Sequence, residues 1–188
     1  YSHRNEDGSV GYIPDSLTHE FKTAHGRTVR DGGGITPDVI IEGHDYSRLT
    51  YSLVYSGIIQ EYALNYVREH ADADEDFHLA DKDWDGFVAF AKTKEFDYRS
   101  SAKTYFDRMK KELEKDGLSK NMSAELDALQ KALEMDKETF LKLKKDEIVP
   151  FIEEEIAVRY HFQEAGIKIR LRYDEQLKKA LASPMIEI

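Results

Sequence analysis

Asp81, Asp83, Asp85 and Gly86, in the run DKDWDGF (81–87), fall at positions 1, 3, 5 and 6 of a calcium-binding loop. In such a loop alternate carboxylates wrap a hard cation and the glycine allows a sharp turn. The loop also needs a bidentate glutamate at its twelfth position, and that residue is Lys92. A cation at the strongest ligand position opposes Ca²⁺. The acids read better as the first turn of a helix, where negative charge is favoured by the macrodipole. The histidines His3, His19, His25, His44, His70, His78 and His161 contain no His-Glu-x-x-His and no tight ligand spacing. His78 beside Asp74 and Asp76 could ligate a metal, but a solvated acidic loop explains the same residues. No serine stands in Gly-x-Ser-x-Gly.

The stretch GRTVRDGGGITPDV (26–39) raises a second chemistry, phosphate binding, because crowded glycines mark places where backbone turns sharply or passes close to something. A phosphate loop needs Gly-x-x-x-x-Gly-Lys-Ser/Thr ahead of a helix. Here Ile35, Thr36 and Pro37 follow the glycines, and Pro37 pushes Thr36 toward an extended conformation. The segment reads as a loop leading into a strand at 38–42. No catalytic residue, cofactor-binding residue or metal ligand is assigned.

Composition excludes further classes. The net charge is −10, from 37 acidic and 27 basic residues, which disfavours nucleic acid. The basic residues Arg159, Lys168, Arg170, Arg172, Lys178 and Lys179 near the C-terminus are interleaved with acids and make only a mild patch. With no cysteine there is no disulfide, thiolate zinc site or cysteine nucleophile. No apolar run approaches the roughly 18 residues of a membrane span. The chain opens at Tyr1 with neither Met nor a signal peptide, and is expected to be a piece of something longer.

The elements that would position any site change in kind near residue 45. Residues 1–45 hold seven of the eleven glycines, a loop-and-strand composition. FKTAHGRTVR predicts a hairpin pairing 21–24 with 27–30 across His25-Gly26, Gly26 taking positive φ. IPDSLTHE suits a short helical turn with Pro14 at its first position. A hairpin plus one strand is too little sheet to stand alone, so it should complete a sheet outside this chain. From Asp45 the periodicity is helical. Helices are expected over 47–70, near 84–93, over 100–115 ended by Gly117, and from a cap at Ser123 onward. A long segment over 137–172 should kink or restart at Pro150, and Asp174 should cap a short helix over 175–182. Leu49, Leu53, Ile58, Ile59, Tyr62, Phe106, Met109, Leu129, Ile152 and Ile156 are the expected core. Tyr51, Tyr55, Tyr66, Trp84, Phe87 and Tyr105 add an aromatic content that fits a core better than a ligand cage. The fold class is mainly α, a helical bundle following a short β-hairpin and strand.

FKTAHGRTVRDGGGITPDVII resembles the segment that follows the catalytic residues in carboxyl-terminal processing (tail-specific) proteases, Ser-Lys peptidases with an embedded PDZ domain. Gly26-Arg27, Gly32-Gly33-Gly34 and Ile35-Thr36-Pro37-Asp38 match that family in order and spacing. Tyr1 to Leu17 resembles its Bacteroidetes-like branch, and SGIIQEYALNYVREH (56–70) resembles its first C-terminal helix. RYHFQEAGIKIRLRYDEQLKKAL (159–181) still fits the pattern. The family's nucleophile sits in a Gly-Ser-Ala-Ser-type turn and its base in a Phe-Gly-Lys-Gly-type turn. Neither motif occurs here, so no residue inherits either role.

The resemblance implies a C-terminal fragment of a cell-envelope or periplasmic serine endopeptidase that captures polypeptides by their C-termini. Residues 1–45 would be the edge of the catalytic domain and 46–188 a helical C-terminal domain. The expected partners are the remainder of the protease chain, polypeptide substrates and further copies of itself, without nucleic acid or cofactor. The helical domain would be structural, oligomerise the enzyme or gate substrate access. The rival readings are a non-enzymatic helical interaction module and a calcium-binding helical module.

Overall fold

A computed structural model of the chain describes residues 15–31, 40–41, 43 and 45–182. The chain forms two compact units, residues 1–43 with 179–188 and residues 44–178. The first unit contains a two-stranded antiparallel sheet, β1 (Glu20–Lys22) and β2 (Thr28–Arg30), with Phe21 opposite Val29. Its turn closes where Thr23 donates to the Arg27 carbonyl and Gly26 to the Thr23 carbonyl, each at 2.9 Å. Gly26 supplies the positive φ of 81° that this turn requires. A single 3₁₀ turn at Asp15–Leu17 precedes the hairpin. Gly32, Gly33, Gly34 and most of the strand expected at 38–42 lie outside the described residues, and Ile40 and Ile41 form no strand.

The second unit is helical: α1 (Arg48–Tyr55), α2 (Ile58–Glu69), α3 (Asp81–Lys92), α4 (Ser101–Lys115), α5 (Ser123–Leu133), α6 (Lys137–Leu143) and α7 (Lys145–Tyr173). An eighth helix, α8 (Glu175–Ala182), follows Asp174, whose carboxylate accepts from the Leu177 amide at 2.9 Å. Ser47 begins α1 by accepting from the Thr50 amide. Leu49, Leu53, Ile59, Phe87, Leu141, Ile148, Ile152 and Ile156 are fully buried together, contributed by α1, α2, α3, α6 and α7. Burial of each such side chain contributes roughly 1.5–3 kcal/mol. α4 and α5 form a helical hairpin of their own around Phe106 and Leu126, outside that main cluster.

Four local expectations are corrected. The helix expected over 47–70 is two helices, because Gly57 at φ 73° turns the chain between them. Ser123 is the first residue of α5 and not its cap, since a 3₁₀ turn at Ser119–Met122 already carries the chain into the helix. Met109 and Leu129 are 44% and 43% exposed, because a two-helix hairpin buries only one stripe. Pro150 leaves α7 intact: the carbonyl it cannot bond belongs to exposed Asp146, where water can serve.

The break in α7 lies instead at His161 and Phe162, with Phe162 at φ 63° and ψ −169°. Beyond it the helix runs back along its first half. Arg170 meets Glu154 at 3.1 Å, and a Cβ on Gly166 would collide with Val158. Ala157, Ala165 and Ile169 are buried together in the seam. Small residues at 157, 165 and 166 let the two halves approach this closely.

Candidate functional site

Two clefts mark the helical unit. The first, about 530 Å³, runs between the Tyr62–His70 stripe of α2 and the start of α3. The Tyr62 hydroxyl donates to the Asp83 carbonyl at 2.6 Å, and the Tyr66 and His70 rings stack with centroids 3.9 Å apart. Gly86 leaves room for that hydroxyl, since a Cβ there would come within 3.3 Å of it. Burial and the nearby Asp83 carboxylate raise the Tyr62 phenol far above its ordinary value. Tyr62 is therefore a neutral structural donor and not an acid–base group.

The second cleft, about 470 Å³, is lined by Phe96, Tyr98, Leu133, Met135 and Phe140. The Lys137 ammonium lies 4.9 Å and 5.7 Å from the Phe96 and Tyr98 ring centroids and donates to the Lys94 carbonyl at 2.7 Å. Asp97 anchors the connecting loop. Its amide donates to the Ser52 hydroxyl at 2.9 Å, and its carboxylate receives Arg99 twice at 3.1 Å and Arg48 at 2.8 Å. The Arg99 hydrogen bonds bring Asp97 down to about 2, so it stays ionised.

The DKDWDGF carboxylates do not converge. Asp81, Asp83 and Asp85 all lie on α3, which is helical from Asp81, and a helical backbone cannot wrap a cation as the calcium loop does. Lys145 holds Asp81 at 2.6 Å. The calcium reading is overturned for that reason. His78 lies 3.2 Å from the Arg172 guanidinium, a cation set where a metal would have to compete. No group of three or more His, Asp or Glu among the described residues could hold a metal ion. Ser47, Ser52, Ser56 and Ser100 spend their hydroxyls on helix ends and on the Asp97 amide. Tyr62, Trp84, Phe87 and Phe106 are buried as expected, whereas Tyr51, Tyr55 and Tyr105 are exposed.

The one buried carboxylate among the described residues has no counterpart in the expected site or core. Glu153, 2% exposed, accepts from the Leu79 amide at 2.9 Å, from Arg172 at 2.9 Å and from the Tyr173 hydroxyl at 2.8 Å. Arg172 also donates to the Phe77 carbonyl at 2.9 Å and pairs with Asp76. A carboxylate four residues after Val149 and three before Ile156 stands on the apolar face of α7, and that is the signal in the sequence.

Residues 49–183 match a family model described as probable PDZ-protease, C-terminal helical domain. No curated protein and no solved structure matches the chain. The helical bundle and this match agree, and the chain belongs to the family of C-terminal helical domains of probable PDZ-proteases.

Proposed function

We propose that this chain is the C-terminal part of a tail-specific Ser-Lys endopeptidase of the cell envelope, whose helical domain holds or gates polypeptide substrates for a catalytic dyad carried outside these residues. In the complete enzyme a desolvated lysine amine would take the serine proton, and the serine would attack the scissile carbonyl to give an acyl-enzyme. The reading is carried by one coincidence. The Gly26-Arg27 to Pro37-Asp38 pattern and the match over 49–183 point independently to the same kind of protein. The test extends the coding sequence upstream and assays the longer protein on one polypeptide with a free or an amidated C-terminus. Cleavage of the free form alone, lost when an upstream serine is replaced by alanine, supports the proposal. Equal cleavage of both forms, or none, refutes it.

The rival reading, a peptide-contacting module without catalysis of its own, is favoured by the apolar cleft at Phe96 and Tyr98. The two readings separate in the same longer protein. If the rival holds, the longer protein binds the polypeptide without cleaving it, and Phe96→Ala weakens that binding.

A further inference from the structure

Phe162 combines three properties that seldom coincide. Its φ of 63° and ψ of −169° fall in a region open almost only to glycine. Its ring is 82% exposed, so no packing offsets the strain. The residues around it carry an unbroken helical spacing: Val158, Phe162, Ala165 and Ile169 lie along one face if the helix continues straight. The contacts across the turn are centred on the same residue to within one position. Glu154 meets Arg170, Val158 abuts Gly166 and Glu153 meets Arg172.

We propose that the turn at 161–162 is a hinge for exchange between two copies of this chain. In the exchanged dimer each α7 runs straight for its 29 residues, roughly 43 Å at 1.5 Å per residue. Residues 163–173 of each chain then dock on the second copy. Because the pairs are centred on Phe162, two straight helices crossing antiparallel there restore every one of them twice. The Glu153–Arg172 pair and the Ala157–Ala165–Ile169 seam form between chains as they form within one. Phe162 enters the seam at the two-fold axis, both strained turns relax, and the exposed rings cover each other. Short strained hinges are where such exchange starts. The occupant of the Glu153 site is thus either the chain's own Arg172 or that of a second copy.

The absence of cysteine gives a clean test. The 188-residue chain carrying Glu154→Cys and Arg170→Cys is unfolded in urea, refolded at low and high concentration, and treated with a short bis-maleimide. On a denaturing gel, exchange gives a covalent species of twice the chain mass that grows with refolding concentration. Cross-links confined to single chains overturn the proposal, whether light scattering finds monomers or dimers. Phe162→Gly tests the hinge separately, because it relaxes the closed turn while removing the rings and the helix propensity that favour the straight α7, and it should weaken dimerisation at least about tenfold. A Phe162→Gly dimer as tight as the parent's also overturns the proposal. Circular dichroism establishes that each variant is folded.

Discussion

Glu153 and Arg172, nineteen positions apart, meet at 2.9 Å because α7 turns back on itself at Phe162. The carboxylate is 2% exposed and the guanidinium 21%, so neither charge is well served by water if the other is removed. Removing one partner of a buried pair costs about 3–5 kcal/mol. Arg172→Leu should therefore lower the unfolding free energy by roughly 3 kcal/mol. Urea denaturation followed by circular dichroism measures it. A loss within about 0.5 kcal/mol, the range of ordinary surface substitutions, would mean the pair is unimportant to the fold.

Gly166 makes an opposite prediction to helix propensity. On an isolated helix Gly→Ala is favourable by about 1 kcal/mol. Here a Cβ would collide with Val158, which is stiff at χ1. Gly166→Ala should instead destabilise by about 1–3 kcal/mol as the halves of α7 are forced apart. Adding Val158→Ala should recover much of that loss. Additive costs in the double variant would contradict the close packing.

The core and the reversal of α7 show what periodicity can and cannot reveal. Leu49, Leu53, Ile59, Ile152 and Ile156 recur at helical spacing, and all five are fully buried. The cap at Asp174 was also legible, because a short polar side chain ahead of an apolar period has one favoured use, whereas Ser47 and Ser100, expected inside their helices, are caps as well. The reversal at Phe162 was not legible. Residues 158–169 keep a helical period, and the fold breaks it for long-range contacts: Glu153 with Arg172, and Tyr160 with the His70 carbonyl at 2.6 Å. Pro150 is the residue whose type predicts a break, yet α7 keeps helical φ/ψ through it and leaves only the carbonyl of exposed Asp146 without its amide partner. The clefts were hidden for a similar reason. The Phe96–Tyr98 wall depends on Lys137 and Asp97 arriving from different elements.

Acid should act through two carboxylates. Burial opposes ionisation of Glu147, yet Lys144, the Ser47 amide and the Ser47 and Thr50 hydroxyls bring it from 4.5 down to about 2. Asp97 falls from 3.8 to about 2 through Arg99. Both are lower in the folded chain, so their stabilisation is complete above the unfolded values and is lost as pH falls toward about 2. The urea midpoint of the Glu147→Gln variant should lie below the parent's at pH 7 and converge with it as pH drops through about 4 to 2. A gap that stays constant with pH would contradict the assignment.

Protection from hydrogen exchange should follow burial. α2 carries Ile58, Ile59, Tyr62 and Ala63 into the main core, whereas every residue of β1 and β2 is exposed. The amides of 59–66 should be among the slowest, opening only with global unfolding, and those of 20–30 should exchange fastest. Mass spectrometry of peptic fragments resolves the two. Hairpin amides as slow as those of α2 would mean that the hairpin is an integral part of the core.

These 188 residues carry the C-terminal helical domain of a probable PDZ-protease, and the proposal puts the catalytic dyad outside them. The most direct measurement incubates the purified chain with an unfolded polypeptide bearing a free C-terminus and follows the products by mass spectrometry. The account predicts no cleavage, because the serine and lysine turns of the resembled family are both missing from the chain. Cleavage abolished by replacing a serine within these residues would contradict it.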